Sequence, residues 1–266
     1  MTTWAVGDYP RMAERLEPAA HGVVEAAVIK AADTVLDVAT GTGNAALLAA
    51  GRGAEVVGID FEQTLLDIAS ERCSSEDLEV RWVNADVGDL PVPDQSATAV
   101  LSVFGVMYAA DHEVAMSELA RTVTPSGRVV LASWVPGSFM PAMGPALSPY
   151  LPPPPTSSGP PSRWGDADSL GELGARHCLQ VTDHSVERLE LDFPTAEEAA
   201  EFMVQTAGHV MTEKPRLVRE QRWDALLADV RSLTETMALP ADEGIAIPCD
   251  YLIATLRPTR PRGNEI

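Results

Sequence analysis

The chain has 266 residues, of which 45% are hydrophobic, so it can build one large core, alone or with an appended cap. Lys and Arg total 19 against 39 Asp and Glu, a net charge of -20, which argues against nucleic acid and anionic lipid surfaces as partners and favours a neutral or cationic small ligand. Three widely spaced cysteines without a C-x-x-C pair, no basic or apolar leader at the N-terminus and no run of ~18 apolar residues point to a reduced, cytoplasmic protein that neither spans a membrane nor holds structural zinc.

In chain order, "TVLDVA" (34–39) reads as a buried strand, and a glycine loop follows it. "NAALLAAGRG" (44–53) reads as a helix ended by glycines, and "AEVVGID" (54–60) as the second strand. Residues 62–73 place Leu65, Leu66, Ile68 and Ala69 on one helical side. "EVRWVNAD" (79–86) and "ATAVLSVFGV" (97–106) give strands three and four. Residues 112–123 form a helix with Asp111 as N-cap, and a "PSG" turn (125–127) leads into the fifth strand, "RVVLASW" (128–134). Strands alternating with helices at this spacing predict an α/β fold with parallel strands and right-handed crossovers.

The texture then changes. Residues 136–165 carry ten prolines, which excludes a strand or a long helix interior and favours polyproline II in part. The segment leaves the fifth strand at the ligand edge, so it is either a surface connector or a lid. Residues 180–194 read as extended with a polar bend, 195–207 and 216–237 as helical, and 244–258 as a closing strand whose apolar Tyr251–Leu256 pairs back into the main sheet.

The loop "DVATGTGNAAL" (37–47) is G-x-G-x-x-A, one spelling of a dinucleotide fingerprint, with Asp60 lying 19 residues beyond Gly41 where a ribose carboxylate belongs. Asp37 opposes that reading. A carboxylate near the loop repels a pyrophosphate and attracts a cation. S-adenosylmethionine carries an ammonium, a sulfonium and no phosphate, while its adenosine still asks for a ribose carboxylate. Asp86, just past the third strand, can accept from an adenine amine. Asp37, Asp60 and Asp86 thus finish three successive strands on the edge where open α/β sheets bind ligands.

The stretch Asp37–Trp134 resembles the class I S-adenosylmethionine-dependent methyltransferases, especially the bacterial ubiquinone- and menaquinone-biosynthesis-like group. "VLDVATGTGNAAL" matches the first motif, "VVGIDF" the acidic end of strand two, and residues 82–134 the remaining motifs in order. Ala39 departs from the family's usual glycine. The resemblance implies a Rossmann-like, doubly wound, mostly parallel seven-stranded sheet with a helical and proline-rich cap. It divides the single domain into an N-terminal helical lid (1–30), a cofactor core (31–135), an acceptor cap and lid (136–243) and the closing strand (244–258).

By the same resemblance, Ala39, Thr40, Gly41 and Gly43 contact the methionine part of the cofactor beside Asp37. Asp60 holds the ribose, with Phe61 beside the adenine. Asp86 and Val87 hold the adenine amine edge, Ser102 and Val103 lie below the sulfonium, and Tyr9 folds over the cofactor. His112, following strand four at the ligand edge, is the first candidate for a general base. Tyr108, Trp134, Arg163, Trp164 and His209 are candidates to line the acceptor pocket. None of the five histidines forms an i, i+4 pair, so no metal is expected. The expected activity is methyl transfer to a small molecule such as a secondary metabolite or quinone-like compound. A non-methylating S-adenosylmethionine-binding protein or non-transferase enzyme stays open. An NAD(P)-dependent oxidoreductase is less favoured, and monomer and homodimer are both left open.

Overall fold

The computed structural model describes residues 4–153 and 159–259. Helix α1 (Tyr9–Ala26) precedes β1 (Thr34–Val38), α2 (Asn44–Gly51), β2 (Glu55–Asp60), α3 (Gln63–Ser75) and β3 (Arg81–Asn84). Then come β4 (Ala97–Val103), α4 (His112–Thr122), β5 (Val123–Trp134), α5 (Phe139–Leu147), α6 (Ala167–Arg176) and β6 (Leu179–Phe193). The chain continues with α7 (Ala196–Thr206), α8 (Gly208–Arg219), α9 (Trp223–Met237), β7 (Leu239–Pro240) and β8 (Ile245–Pro258). The strand order is β3-β2-β1-β4-β5-β8-β6, with the two-residue β7 attached to β8. The sheet is therefore mixed α/β and mostly parallel: β1 to β5 run parallel, and β8 enters antiparallel to both β5 and β6.

The order reverses between β1 and β4, which creates a crevice at their carboxyl ends. Apolar runs make this possible. Val35, Leu36 and Val38 in β1 and Val100 and Leu101 in β4 are buried, as both faces of a parallel sheet require. The closing strand pairs as its apolar pattern asks, Tyr251 opposite Trp134 and Leu256 opposite Val129.

The structure differs from the sequence expectations in four places. Strand four stops at Val103 rather than 106, because Phe104 adopts φ +56° and a single helical turn, Val106–Tyr108, follows. The helical stretch 216–237 is two helices. The break is a Schellman motif: Gln221 has φ +56°, the Arg222 amide donates to the Leu217 carbonyl and the Gln221 amide to that of Val218. Its left-handed residue is glutamine where glycine is usual, so the sequence carries no stop signal.

The proline-rich segment contains the nine-residue α5. Pro141 falls in the first turn, where its missing N–H costs nothing, and Pro145 removes one internal bond. Phe139, Met143 and Leu147, spaced by four, are buried on one face, and the helix packs on α9. Helix α6, outside the sequence expectations, is capped by Asp166, which accepts from the Ser169 amide at 2.8 Å. Of the four-proline run 152–155, Pro154 and Pro155 lie outside the described residues.

Past that run, Pro161–Gly165 forms a helical turn against β5. A Cβ on Gly165 would stand 1.9 Å from the Trp134 carbonyl oxygen, and the Trp164 side chain is fully buried. The turn is thus an anchor inside the core. Trp164→Ala should cost about 3–5 kcal/mol, the usual range for emptying an aromatic core site, read as a lowered midpoint in urea unfolding.

Candidate functional site

The loop between β1 and α2 carries no side-chain cap at its own N-cap position, Gly43, which has φ +86°. Asp37 takes that place from the strand before. Its Oδ2 accepts from the Ala46 amide at 3.0 Å and from the Thr40 hydroxyl at 2.6 Å. The carboxylate is 1% exposed, and burial pushes its pKa up to about 7, opposed by those two bonds. Asp60 ends β2 and reaches across: Oδ2 accepts from the Gly41 amide at 2.8 Å and Oδ1 from the Glu62 amide at 2.9 Å. Burial raises its pKa too. Two desolvated carboxyl groups therefore face one loop, an arrangement able to hold a cation and a diol.

A small cavity of about 20 Å³, room for roughly one water, lies here, lined by Tyr9, Asp37, Ala39, Thr40, Asn44 and Val103 among others. A larger groove of about 670 Å³ runs at the opposite, amino ends of β2 and β3, beside Cys73 and Arg81. The loop and Asp37 line the smaller one, and Asp60 is tied to the same loop through the Gly41 amide, so that is the candidate site.

Ala39 stands in the left-handed region at φ +55°. The structure shows what tolerates its methyl. A Cβ on Gly105 would meet the Ala39 Cβ at 2.5 Å and the Ala39 carbonyl oxygen at 2.7 Å, so the missing side chain at 105 leaves room for the Ala39 methyl and backbone alike. Ser102 is fully buried; its hydroxyl donates to the Val38 carbonyl at 2.7 Å and accepts from the Val106 amide at 3.1 Å. It ties β1 to the turn after β4, with its hydroxyl committed to backbone. Asp86 is exposed just past β3 and accepts from the Gly88 amide at 2.7 Å, Val87 is half-buried, and Phe61 is 45% exposed beside Asp60.

The acceptor-side candidates separate into two groups. His112 is 3% exposed, packs edge-on against Trp164 at 5.6 Å and donates to the Met107 carbonyl. Burial, with Arg163 nearby, keeps it below the ordinary histidine range. Its place in the fold is that of a packed, neutral histidine. Trp164 belongs with it in the core. Trp134 is 2% exposed and stacks on Phe104 at 3.6 Å, both rings beside Tyr251. Arg163 follows Pro160 in the anchoring turn and lies within electrostatic reach of His112.

Tyr9, Tyr108 and His209 instead gather around Trp4, with ring centroids 5.9, 5.2 and 5.8 Å from its indole. Trp4 is a residue that sequence reasoning missed. Lying in a short turn before α1, it carries no periodic signal.

Residues 35–127 match the methyltransferase domain family. An uncharacterized protein of Mycobacterium tuberculosis is 37% identical over 173 residues, 64% of this chain and 63% of that protein. The chain thus spans under two thirds of the length of such relatives. A demethylmenaquinone methyltransferase of Thermus thermophilus is 44% identical over 115 residues, 42% of this chain and 52% of that enzyme. Residues 35–127 thus carry a methyltransferase domain. The fold of the chain matches that of a putative methyltransferase from Bacillus halodurans with a TM-score of 0.64 at 15% identity, covering 91% of this chain and 99% of that one. It also matches a Haemonchus contortus phosphoethanolamine N-methyltransferase solved with S-adenosylmethionine, with a TM-score of 0.55 at 16% identity over 91% and 53% of the two chains. No helix among the described residues is long and apolar enough to cross a membrane.

The raised pKa of Asp37 has a consequence for stability. Its folded pKa, about 7, lies above the ordinary carboxylate value, so between about pH 4 and 7 the folded state holds a proton that the unfolded state has released. This contribution is fully present below about pH 4 and is lost as pH rises to 7. Asp60 adds a slope of the same sign. Asp37→Asn should flatten the fall in denaturation midpoint of the ligand-free protein between pH 5 and 7.5; an unchanged slope would show that Asp37 is charged throughout.

Proposed function

We propose that this chain binds S-adenosylmethionine at the carboxyl ends of β1 to β4 and directs its methyl group to a small-molecule acceptor. The observation that carries the proposal is the pair of buried carboxyl groups on one glycine loop. Both bonds to Asp37 fall on Oδ2, so Oδ1 remains for an ammonium. Each Asp60 oxygen accepts one amide and keeps a second lone pair for a ribose hydroxyl. An ammonium beside Asp37 would bring its pKa down from about 7 and fix it as the carboxylate. The same geometry disfavours a pyrophosphate, which would meet that charge at close range.

Phe61 and Asp86 stand beyond Asp60 on the same edge, as an adenine would need: an apolar face and an acceptor for its amine. Val87 flanks them, and Val103 lines the cavity with Thr40 and Ala39. S-adenosylmethionine supplies an activated methyl group. The chain's own residues would bind it, orient the acceptor and keep water out. The relatives that methylate demethylmenaquinone support a small organic acceptor.

Calorimetry tests this directly. S-adenosylmethionine and S-adenosylhomocysteine should bind, and NADH far more weakly; tighter NADH would overturn the proposal. Asp60→Ala should weaken S-adenosylmethionine by about 2–4 kcal/mol, the level of charged hydrogen bonds, on the order of 30- to 700-fold. Unchanged affinity in a natively folded variant would remove Asp60 from the site.

A further inference from the structure

The cofactor loop is gripped from two sides. Asp37 and Asp60 accept from its amides and from the Thr40 hydroxyl. Its carbonyl side is taken by a cation from α3. Arg72 Nη1 donates to the Thr42 carbonyl at 2.8 Å and to the side-chain oxygen of Asn44, Oδ1, at 2.6 Å. A Cβ on Gly43 would stand 2.8 Å from the Trp82 ring and 3.2 Å from the Ala69 Cβ, so the bare backbone at 43 leaves room for α3 and β3 to close on the loop. Ala69 and Arg72, three residues apart, share that face of α3.

Asn44 passes the restraint on. Its Nδ2 donates to the Ala13 carbonyl of α1 at 2.7 Å. A guanidinium only donates and a carbonyl only accepts, so the amide satisfies both in one orientation. A carboxylate or an apolar side chain of that size cannot do the same. Arg72, Asn44 and Ala13 thus join α3, the start of α2 and α1 in one line of hydrogen bonds.

The end of that line bears on the cofactor site. Ala13 lies one turn beyond Tyr9 on α1, and a Cβ on Gly41 would stand 3.4 Å from the Tyr9 ring. Tyr9, Ala13, Thr42 and Asn44 line the small cavity together with Asp37. Arg72 stands outside that lining and acts on residues within it. Ahead of Tyr9, a strap from Trp4 to Asp8 is tied down separately. The Trp4 amide donates to Glu62 Oε1 at 3.1 Å, and the Asp8 amide to the Gln205 carbonyl at 2.9 Å. The Asn44 bond therefore sets how the first half of α1, with Tyr9, meets the loop.

We propose that Arg72 and Asn44 are positioning residues for S-adenosylmethionine: Arg72 fixes the Thr42 carbonyl and the Asn44 amide, and Asn44 sets α1 against the loop, so that the cofactor meets a site already ordered. The proposal rests on the cofactor assignment above. Gly41 and Gly43 have φ +56° and +86°, and glycine backbone has the most freedom to lose. Ordering this loop before the ligand arrives removes that cost from the affinity.

Calorimetry with S-adenosylmethionine and hydrogen exchange of residues 9–17 test it. Arg72→Met, at a half-buried position outside the cavity, should weaken binding about tenfold, the scale of one charge-assisted hydrogen bond. It should also speed exchange in residues 9–17 while β1 and β4 keep their protection, which a merely structural role would not spare. Asn44→Ala should act alike, and the double variant should lose far less than the product of the two single losses, because both cut the same line. Asn44→Asp keeps the Arg72 bond but offers the Ala13 carbonyl no donor. Its added charge alone would favour a cationic ligand, whereas the proposal expects about tenfold weaker binding. Unchanged affinity in Arg72→Met, independent losses in the double variant, tighter binding by Asn44→Asp, or exchange that rises equally through β1 and β4 would overturn the proposal. Failure of the unaltered chain to bind S-adenosylmethionine would instead sink the cofactor assignment, and this proposal with it.

Discussion

The hydrogen bonds from the Thr40 hydroxyl and the Ala46 amide to the buried Asp37 carboxyl hold the loop after β1 in place. Helix α2 begins at a glycine that offers no side chain to its free amides. A residue of the preceding strand caps the helix instead, so strand, loop and helix become one unit. Asp60 repeats the device from β2, taking the Gly41 amide. Loop position is therefore fixed by two carboxyl groups from adjacent strands, both removed from water. Such groups are costly to bury without an opposite charge, and this is the physical reason that the edge suits a cationic ligand.

The crevice itself follows from topology. Because β4 adds on the far side of β1, their connections leave in opposite directions. Two non-glycine residues in the left-handed region, Ala39 and Phe104, lie on either side of that gap. Gly105 accommodates the first, and stacking on Trp134 holds the second. Strain of this kind persists only where surrounding packing over-determines it. Here Ser102 supplies a further tie by bridging the Val38 carbonyl and the Val106 amide.

The cap shows a division of labour. Its proline-rich entry packs through α5 onto α9 and through the Pro161–Gly165 turn onto β5, so these parts are core support. The surface that meets the loop comes from the other end of the chain, the Trp4 strap and Tyr9, with the start of α8. His112 and Trp164, adjacent to the crevice in sequence logic, pack against each other beneath it.

The sequence by itself determined the alternating core, the order of its strands and helices, the return of the last strand and the acidic residues at the ends of β1, β2 and β3. Those features are local: apolar period, turn residues and spacing to a glycine loop leave a direct mark on the chain. Only the tertiary structure decided which side chains meet. The break at Gln221 has no glycine to announce it, and α5 hides among prolines because only its four-residue apolar spacing betrays it. His112 and His209 look alike as letters, yet one packs buried against Trp164, while the other meets the Trp4 ring of the strap. Trp4 and Gly105 became legible for the same reason. Their roles are contacts between residues far apart in the chain, and no local pattern encodes such contacts.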